Sequence, residues 1–457
     1  MALTPDQWLK RLSMAMDASG KRIQNLRNYA NGNAPLPEGA DNMRAAYQSF
    51  QKKARTNFGE LVVDAVVERM IPAGFTVGDA DNDELLHNIW DRNQLQVGVA
   101  DVLRDMVALS AGYIIVSQDP ETKLALVSCE RPEQVITEQS AARPDQIRAA
   151  LKVYRDPVEE IDVAFLHLVG VVHKYTRPIK DLSGNSAAVF TIDGGWVHDS
   201  EELTGLEYIP VFAFPNRGGI GEFESHTDIL DRINWNILQR LVIVAMQAYR
   251  QRWVKGADSL ADEDSEGNKN DYAAIFKPGA GALWMLPDGV EIGESSQTDI
   301  TAILLANRDD ITHLAAVTRT PLATLMPEGA NQSAEGASFA REGLVFKALD
   351  RVSRAGAALQ LVMGAALGIE KNQASIDRGV KITWLPVERQ SLSERADAAT
   401  KLVNLLPWRA IMGDVMQYSD EEINEFETWR DEEQAKIVLT TSTHLAIEPT
   451  TPPDMGA

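Results

Sequence analysis

The run DEDSEGNKNDYA, beginning at Asp262, comes nearest in this chain to a ligand-binding spacing. Aspartates at its first and third positions, glycine at the sixth and asparagine at the ninth imitate a calcium-binding EF loop. The fifth position is Glu266, however, and the twelfth, where a bidentate glutamate is required, is Ala273. No helix–loop–helix pairing flanks the run, so it reads as a solvated acidic loop. NRGGIGEF (Asn216 to Phe223) follows a strand pattern but lacks the G-x-G-x-x-G spacing and the downstream acidic partner of a dinucleotide cradle. SGKR at Ser19 has Gly-Lys without the earlier glycine or the Ser/Thr of a P-loop. The histidines at 87, 167, 173, 198, 226, 313 and 444 form no H-E-x-x-H and no i, i+4 pair, so no metal-binding helix face is expected. Cys129, the single cysteine, excludes an internal disulfide and a multi-cysteine zinc site, and reads as a small half-buried residue. No G-x-S-x-G elbow occurs. The acidic run SDEEINEFETWRDEE reads as a capped amphipathic helix, with Ile423, Phe426 and Trp429 as its buried stripe.

With so little local chemistry, the elements around these motifs carry the reading. The chain has 457 residues, 44% of them hydrophobic and 24% charged, which is enough for a large core and argues against wholesale disorder. Its net charge of −22 leaves no basic surface for tight, sequence-specific duplex binding. The N-terminus lacks a signal-peptide pattern, and the longest apolar run read in a helical context, LVIVAM (Leu241 to Met246), is far shorter than a membrane span. These features predict a soluble intracellular protein.

The first helix is predicted at TPDQWLKRL, with Thr4 as N-cap, Pro5 in the first turn and Gln7 completing a capping box. NFGELVVDAVVERM predicts a helix with Leu61, Val62, Ala65, Val66 and Met70 on one face, stopped by Pro72 and Gly74. From about Val107 to Phe214 short β-rich runs (GYIIVSQD, LALVSC, AALKVYRD, VVHKYTR, AAVFTIDGGWV, YIPVFAF) predict antiparallel sheet. A long helix then follows from a Ser225/Asp228 capping box to a stop at Gly256, periodic through Ile229, Ile233, Ile237, Leu241 and Trp253. Beyond an insertion come a helix from Asp299 to about Thr318, a polar loop MPEGANQS, and a glycine-rich helix of about 30 residues from Ser333. KITWLPVE predicts a strand, LSERADAATKLVNLL and SDEEINEFETWRDEEQAK predict helices, and EPTTPPDMGA a disordered tail.

The order and spacing of YANGNAPLP, NFGELVVDAVVERMIPAGF, IWDRNQLQ, ALSAGYIIV, IPVFAFPNRGG, DILDRINWNILQRLVIVAMQAYRQRWVKG, PGAGALWML and NQSAEGASFAREGLVFKALDR resemble the portal proteins, or head-to-tail connectors, of long-tailed bacteriophages. The resemblance runs from about Tyr29 to Leu406. It implies an α+β portal fold: a mixed α/β wing domain, two long stem helices, a small clip insertion and a helical C-terminal crown. Carried onto this chain, the wing is 1–224, the first stem helix 225–256, the clip 257–298 and the second stem helix 299–320. The tunnel loop is 321–334, a long helix and return to the wing 335–388, the crown helices 389–445 and the tail 446–457.

The same resemblance implies a ring, usually of twelve subunits, at one capsid vertex of the virion, assembled in the host cytoplasm. The genome would be packaged and ejected through its channel. Met326, Glu328, Asn331, Gln332 and Ser333 would face passing double-stranded DNA without sequence preference. Asp262, Asp264, Glu266 and Lys269 would lie on the clip surface where the large terminase and then head-completion or adaptor proteins dock. Major capsid and scaffold proteins are the other implied partners. No catalytic residue, cofactor, metal or membrane is implied. Two alternatives from the residues remain: another virion structural protein, such as a capsid or adaptor subunit, and a metal-dependent enzyme using the loop at Asp262.

Overall fold

In a computed structural model of the chain, residues 3–37, 45–143, 146–179, 194–248, 252–255, 291–294, 299–327, 334–388, 392–418 and 420–445 are described. The chain divides into two compact units, one of Met1–Asn31, Phe58–Ser225 and Ala315–Ala457, the other of Gly32–Asn57 and His226–Leu314.

The first unit opens with α1 (Pro5–Ala30), whose Thr4 cap and Gln7 form the expected capping box. Trp8, Leu9, Leu12 and Met16 recur at helical spacing and bury one stripe of α1 against Leu151, Val153, Ala164, Leu166 and Tyr175. Four large side chains removed from water contribute about 6–12 kcal/mol before chain entropy is counted. Their platform is an antiparallel sheet of β4 (Val135–Gln139), β5 (Ile147–Asp156), β6 (Ile161–Leu168), β7 (Val171–Pro178) and β8 (Val197–Leu203), paired in that order. A second antiparallel sheet places β2 (Ala111–Gln118) between β3 (Ala125–Glu130) and β9 (Val211–Pro215). Arg27 ties α1 to the rest, reaching Asp105 at 2.5 Å and Glu133 at 2.7 Å. A two-stranded ladder joins β1 (Pro72–Thr76) to β12 (Lys381–Trp384), the strand expected at KITWLPVE.

Several expected boundaries move. The helix α3 (Phe58–Val67) buries Val62, Val63, Ala65 and Val66 but leaves Leu61 exposed, because its core face is centred one residue further along. Pro72 and Gly74 lie inside β1, where they end the helical run by entering a strand. The sheet region begins at Ala111 because α5 (Leu95–Leu109) runs past Val107. Most of AAVFTIDGGWV lies outside the described residues, and the strand beside it is β8.

The 37-residue helix Ala334–Glu370 packs on β2, β3 and β9 and on α3 and α4 (Ala80–Arg92). Its Arg341–Glu370 part is long and apolar enough to cross a membrane, a property the sequence reading assigned to no segment. The most apolar stretch is 72% buried within the chain, as in the core helix of a folded domain. Gly364 lets the segment that follows the helix lie against it: a Cβ there would sit 2.0 Å from the Asp377 carbonyl oxygen, and the Asp377 amide donates to the Gly364 carbonyl. Of the C-terminal helices, Leu392–Leu402 and Asp420–Leu445 match expectation. Ile423 is buried and Phe426 half-buried, but Trp429 is 57% exposed, so the predicted stripe is narrower than three residues.

In the second unit, α2 (Ala45–Ala54) packs on α6 (Thr227–Ala248). Leu230, Ile233, Ile237 and Leu238 form the buried stripe of α6, and Asn234, also buried, accepts hydrogen bonds from the amide and hydroxyl of Thr56. Ser225 sits in a 3-10 turn, Glu224–His226, ahead of the helix. The helix expected to reach Gly256 is 22 residues, or ~33 Å, long. Arg252–Lys255 is instead strand β10, paired with β11 (Glu291–Glu294), which moves Trp253 from helix to strand. Asp310, on the helix Thr301–Thr318, accepts from Arg232 at 2.7 Å and from Asn236 at 2.9 Å.

Candidate functional site

The loop singled out by its polar sequence is entered through a tightly built turn. The helix Thr301–Thr318 ends in a Schellman arrangement: the Thr320 amide donates to the Ala315 carbonyl at 2.9 Å and the Arg319 amide to Ala316 at 3.3 Å. Arg319 takes the left-handed position usually filled by glycine, with φ 53°. A side chain there costs about 1–2 kcal/mol, so neighbours must hold the turn in place. Pro321 follows, where a helix cannot continue, and Leu322–Leu325 make one further turn with Leu325 buried.

Those neighbours are charged and buried. Lys347, on the long helix, donates to the Thr318 carbonyl at 2.7 Å, and its ammonium lies 3.1 Å from Glu222. Arg351, one helical turn on, donates to the same carboxylate at 2.6 Å, and Asn216 adds a donor at 3.2 Å. Lys347 and Glu222 side chains are each 6% exposed. Burial pushes the Glu222 carboxyl up, but the adjacent Lys347 and Arg351 charges more than offset this and hold it below its ordinary value. Burial also brings the Lys347 ammonium below its ordinary value despite the Glu222 charge. The Thr318 hydroxyl donates to the Thr320 hydroxyl at 3.0 Å, completing a buried polar knot under the turn.

NRGGIGEF supplies the carboxylate of this knot, which explains its glycines without a phosphate. Gly221 passes so close to α5 that a Cβ would lie 2.3 Å from the Ala108 carbonyl oxygen. Its amide donates to Glu224, and Glu224 in turn accepts from Arg22 at 2.5 and 2.6 Å. The Glu222 amide donates to the Val107 carbonyl.

Of the residues expected to face DNA, Met326 is described: it is half-buried, and its amide donates to the Leu322 carbonyl at 2.7 Å. Glu328, Asn331, Gln332 and Ser333 lie outside the described residues, as do Asp262, Asp264, Glu266 and Lys269 of the acidic insertion. Cys129 is half-buried and its thiol is pushed up to about 12 by burial and the charges of Glu130 and Asp101, which makes it a poor nucleophile at neutral pH. The sequence reading missed Glu222, Lys347 and Arg351. Two cations four residues apart in a largely apolar helical stretch, GLVFKALDRV, were the available signal.

A family model described as "Phage portal protein, SPP1 Gp6-like" matches residues 9–438. Two relatives are each named "Portal protein". That of Mycobacterium phage D29 is 23% identical over 422 residues, covering 87% of this chain and 83% of its own. That of Mycobacterium phage L5 is 24% identical over 465 residues, covering 96% and 91%. Among solved structures, a chain of the "Virion of native gene transfer agent (GTA) particle" matches with a TM-score of 0.45 and 13% identity, over 84% of this chain and 96% of that one.

Proposed function

This chain belongs to the SPP1 Gp6-like family of phage portal proteins, and from that membership we propose how its parts serve a portal. Its role is that of a portal in the virion, a structural component of the particle. Twelve copies close into a ring at one capsid vertex, and the genome enters and leaves through the central channel. Apolar side chains left uncovered within the units support self-association: Leu304 and Leu305 on one helix are 42% and 62% exposed, and Phe346 and Leu349 on the long helix 61% and 44%. Head-to-tail contacts between identical subunits bury such faces and close into rings.

In this reading α6 and Thr301–Thr318 belong to the stem. The insertion between them, including Asp262, Asp264, Glu266 and Lys269, forms the clip, which meets the large terminase during packaging and head-completion proteins afterwards. The ATPase that drives packaging is the terminase, and this chain supplies the conduit. Residues 321–334 form the tunnel loop. The observation that carries this assignment is the knot of Glu222, Lys347 and Arg351, which clamps the turn at the base of the loop while the loop sequence itself offers polarity without cations. Each lysine or arginine that reached a phosphate would add affinity and slow the passage of DNA.

The test reverses that feature. Glu328→Lys with Asn331→Lys places two new cations per subunit where DNA is proposed to slide. Rings and procapsids form normally, packaging slows or stops short, and raised salt partly restores it. Wild-type packaging by this double variant would remove the loop from the DNA path.

A further inference from the structure

We propose that His173, His198 and Glu201 form a binding site for a zinc-type divalent ion that staples the edge strand β8 to the sheet. His173 lies on β7, and both other residues lie on β8. Their ligand atoms all fall within 4.8 Å of one another. His173 Nδ1 is 3.3 Å from His198 Nε2 and 3.6 Å from a Glu201 carboxylate oxygen. In a tetrahedral zinc site with bonds of about 2.0–2.1 Å, neighbouring ligand atoms stand roughly 3.3–3.4 Å apart. Both measured separations therefore fit two edges of such a tetrahedron. The fourth corner faces outward for water, since His198 and Glu201 are exposed, while His173 is 8% exposed and fixed in place.

A β-bulge builds the cluster. His173 pairs with Glu201 and Lys174 with Ser200, but Tyr175 pairs with His198, leaving Asp199 as an extra residue on β8. In a regular strand, residues three apart point to opposite faces. The extra residue brings His198 and Glu201 to the same face as His173, while Asp199 pairs with Lys174 at 2.8 Å. Bulges that re-aim side chains in this way are functional features more often than accidents. On that face Tyr175 orients the site: its ring meets His198 edge-on at 5.2 Å, and its hydroxyl donates to Asp6 of α1.

The strand also has a need for a staple. Every side chain of β8 is exposed, so the strand buries no apolar surface of its own and rests mainly on its backbone ladder to β7. Two imidazoles and one carboxylate form a borderline donor set that favours Zn²⁺ over Mg²⁺ or Ca²⁺, which take oxygen ligands.

The chain is stripped with chelator and titrated with ZnCl₂ by calorimetry, and with CoCl₂ while the visible d–d bands are recorded. One ion per chain and tetrahedral-type cobalt bands are expected, and β8 amides exchange hydrogen more slowly once Zn²⁺ is added. His198→Ala, at an exposed position, lowers affinity at least about tenfold and abolishes the added protection. Glu201→Gln, a near-isosteric change, does so more mildly, and His313→Ala, at a histidine outside the cluster, leaves binding unaltered. Circular dichroism of the metal-free variants reports folding separately. No saturable zinc binding, or binding equally strong in both site variants, overturns the proposal.

Discussion

Replacing Lys347 with methionine keeps most of the side-chain volume and removes the charge and the hydrogen-bond donor beneath the turn at Thr318. The ammonium stands 3.1 Å from Glu222, so at an effective dielectric of 20 the lost attraction is about 5 kcal/mol. Most of that is offset because an ammonium no longer has to be taken out of water, which costs several kcal/mol per buried ion. Two uncompensated losses remain. The buried Thr318 carbonyl loses its 2.7 Å donor, about 1–3 kcal/mol, and Glu222 keeps Arg351 but loses one of its two cations. The expected net destabilisation is about 2–4 kcal/mol. Thermal unfolding of the purified variant reads this as a lowered transition. Hydrogen exchange reads it locally, as faster exchange of the Arg319 and Thr320 amides, whose partners are the last carbonyls of the helix. The Glu224–Arg22 pairing on the other side of the NRGGIGEF turn should stay intact. Unchanged unfolding together with unchanged exchange at Thr320 would refute the clamp.

Glu222 gives a pH dependence of defined sign. Its carboxyl is held below its ordinary value, so its stabilisation is fully present above the unfolded value and is lost as pH falls through the folded one. Acid titration of stability should show this loss, and Glu222→Gln should flatten it; an identical slope in the variant would remove Glu222 from the account. Gly364→Ala forces a Cβ against the Asp377 carbonyl and should destabilise by at least about 2 kcal/mol, whereas Gly343→Ala, whose nearest neighbour is 3.7 Å away, should gain about 0.5–1 kcal/mol. Equal unfolding temperatures for the two alanine variants would contradict the packing described for the long helix. Phe346→Asp, at a site 61% exposed in the single chain, should leave the far-UV circular dichroism unchanged while preventing ring assembly; normal rings would show that this face is not between subunits.

Much of the fold was legible because local rules and burial agreed. The Thr4 capping box, the β-rich runs that fall within the described residues and the helix from Asp299 to Thr318 each combine a terminal signal with the right period, and each is present. Asp299 even accepts a hydrogen bond from the Thr301 amide at the predicted helix start. The errors fall where tertiary pairing overrules local pattern. RWVK continues a helical period on paper, but it pairs with EIGE nearly forty residues on, and no local rule reports that partner. The core face of α3 shifts toward Val63, and Trp429 is exposed, because apolar spacing alone does not say which neighbour covers a face. The site was less legible. Polar loop residues were singled out by what they lack, and all but Met326 lie outside the described residues; the knot beneath the Thr318 turn joins positions 222, 318 and 347, which come together only in the fold. Likewise His173 and His198 are 25 residues apart and on adjacent strands, invisible to a search for ligands spaced along a helix.

The central claim is a closed ring, and the mass of the purified protein in solution tests it most directly. Light scattering behind size-exclusion chromatography, across micromolar concentrations and several salt levels, should give an assembly of many subunits. Twelve chains of 50.3 kDa make about 604 kDa, with a central hole visible in negative stain. A mass that stays at one or two chains under all these conditions would contradict the account.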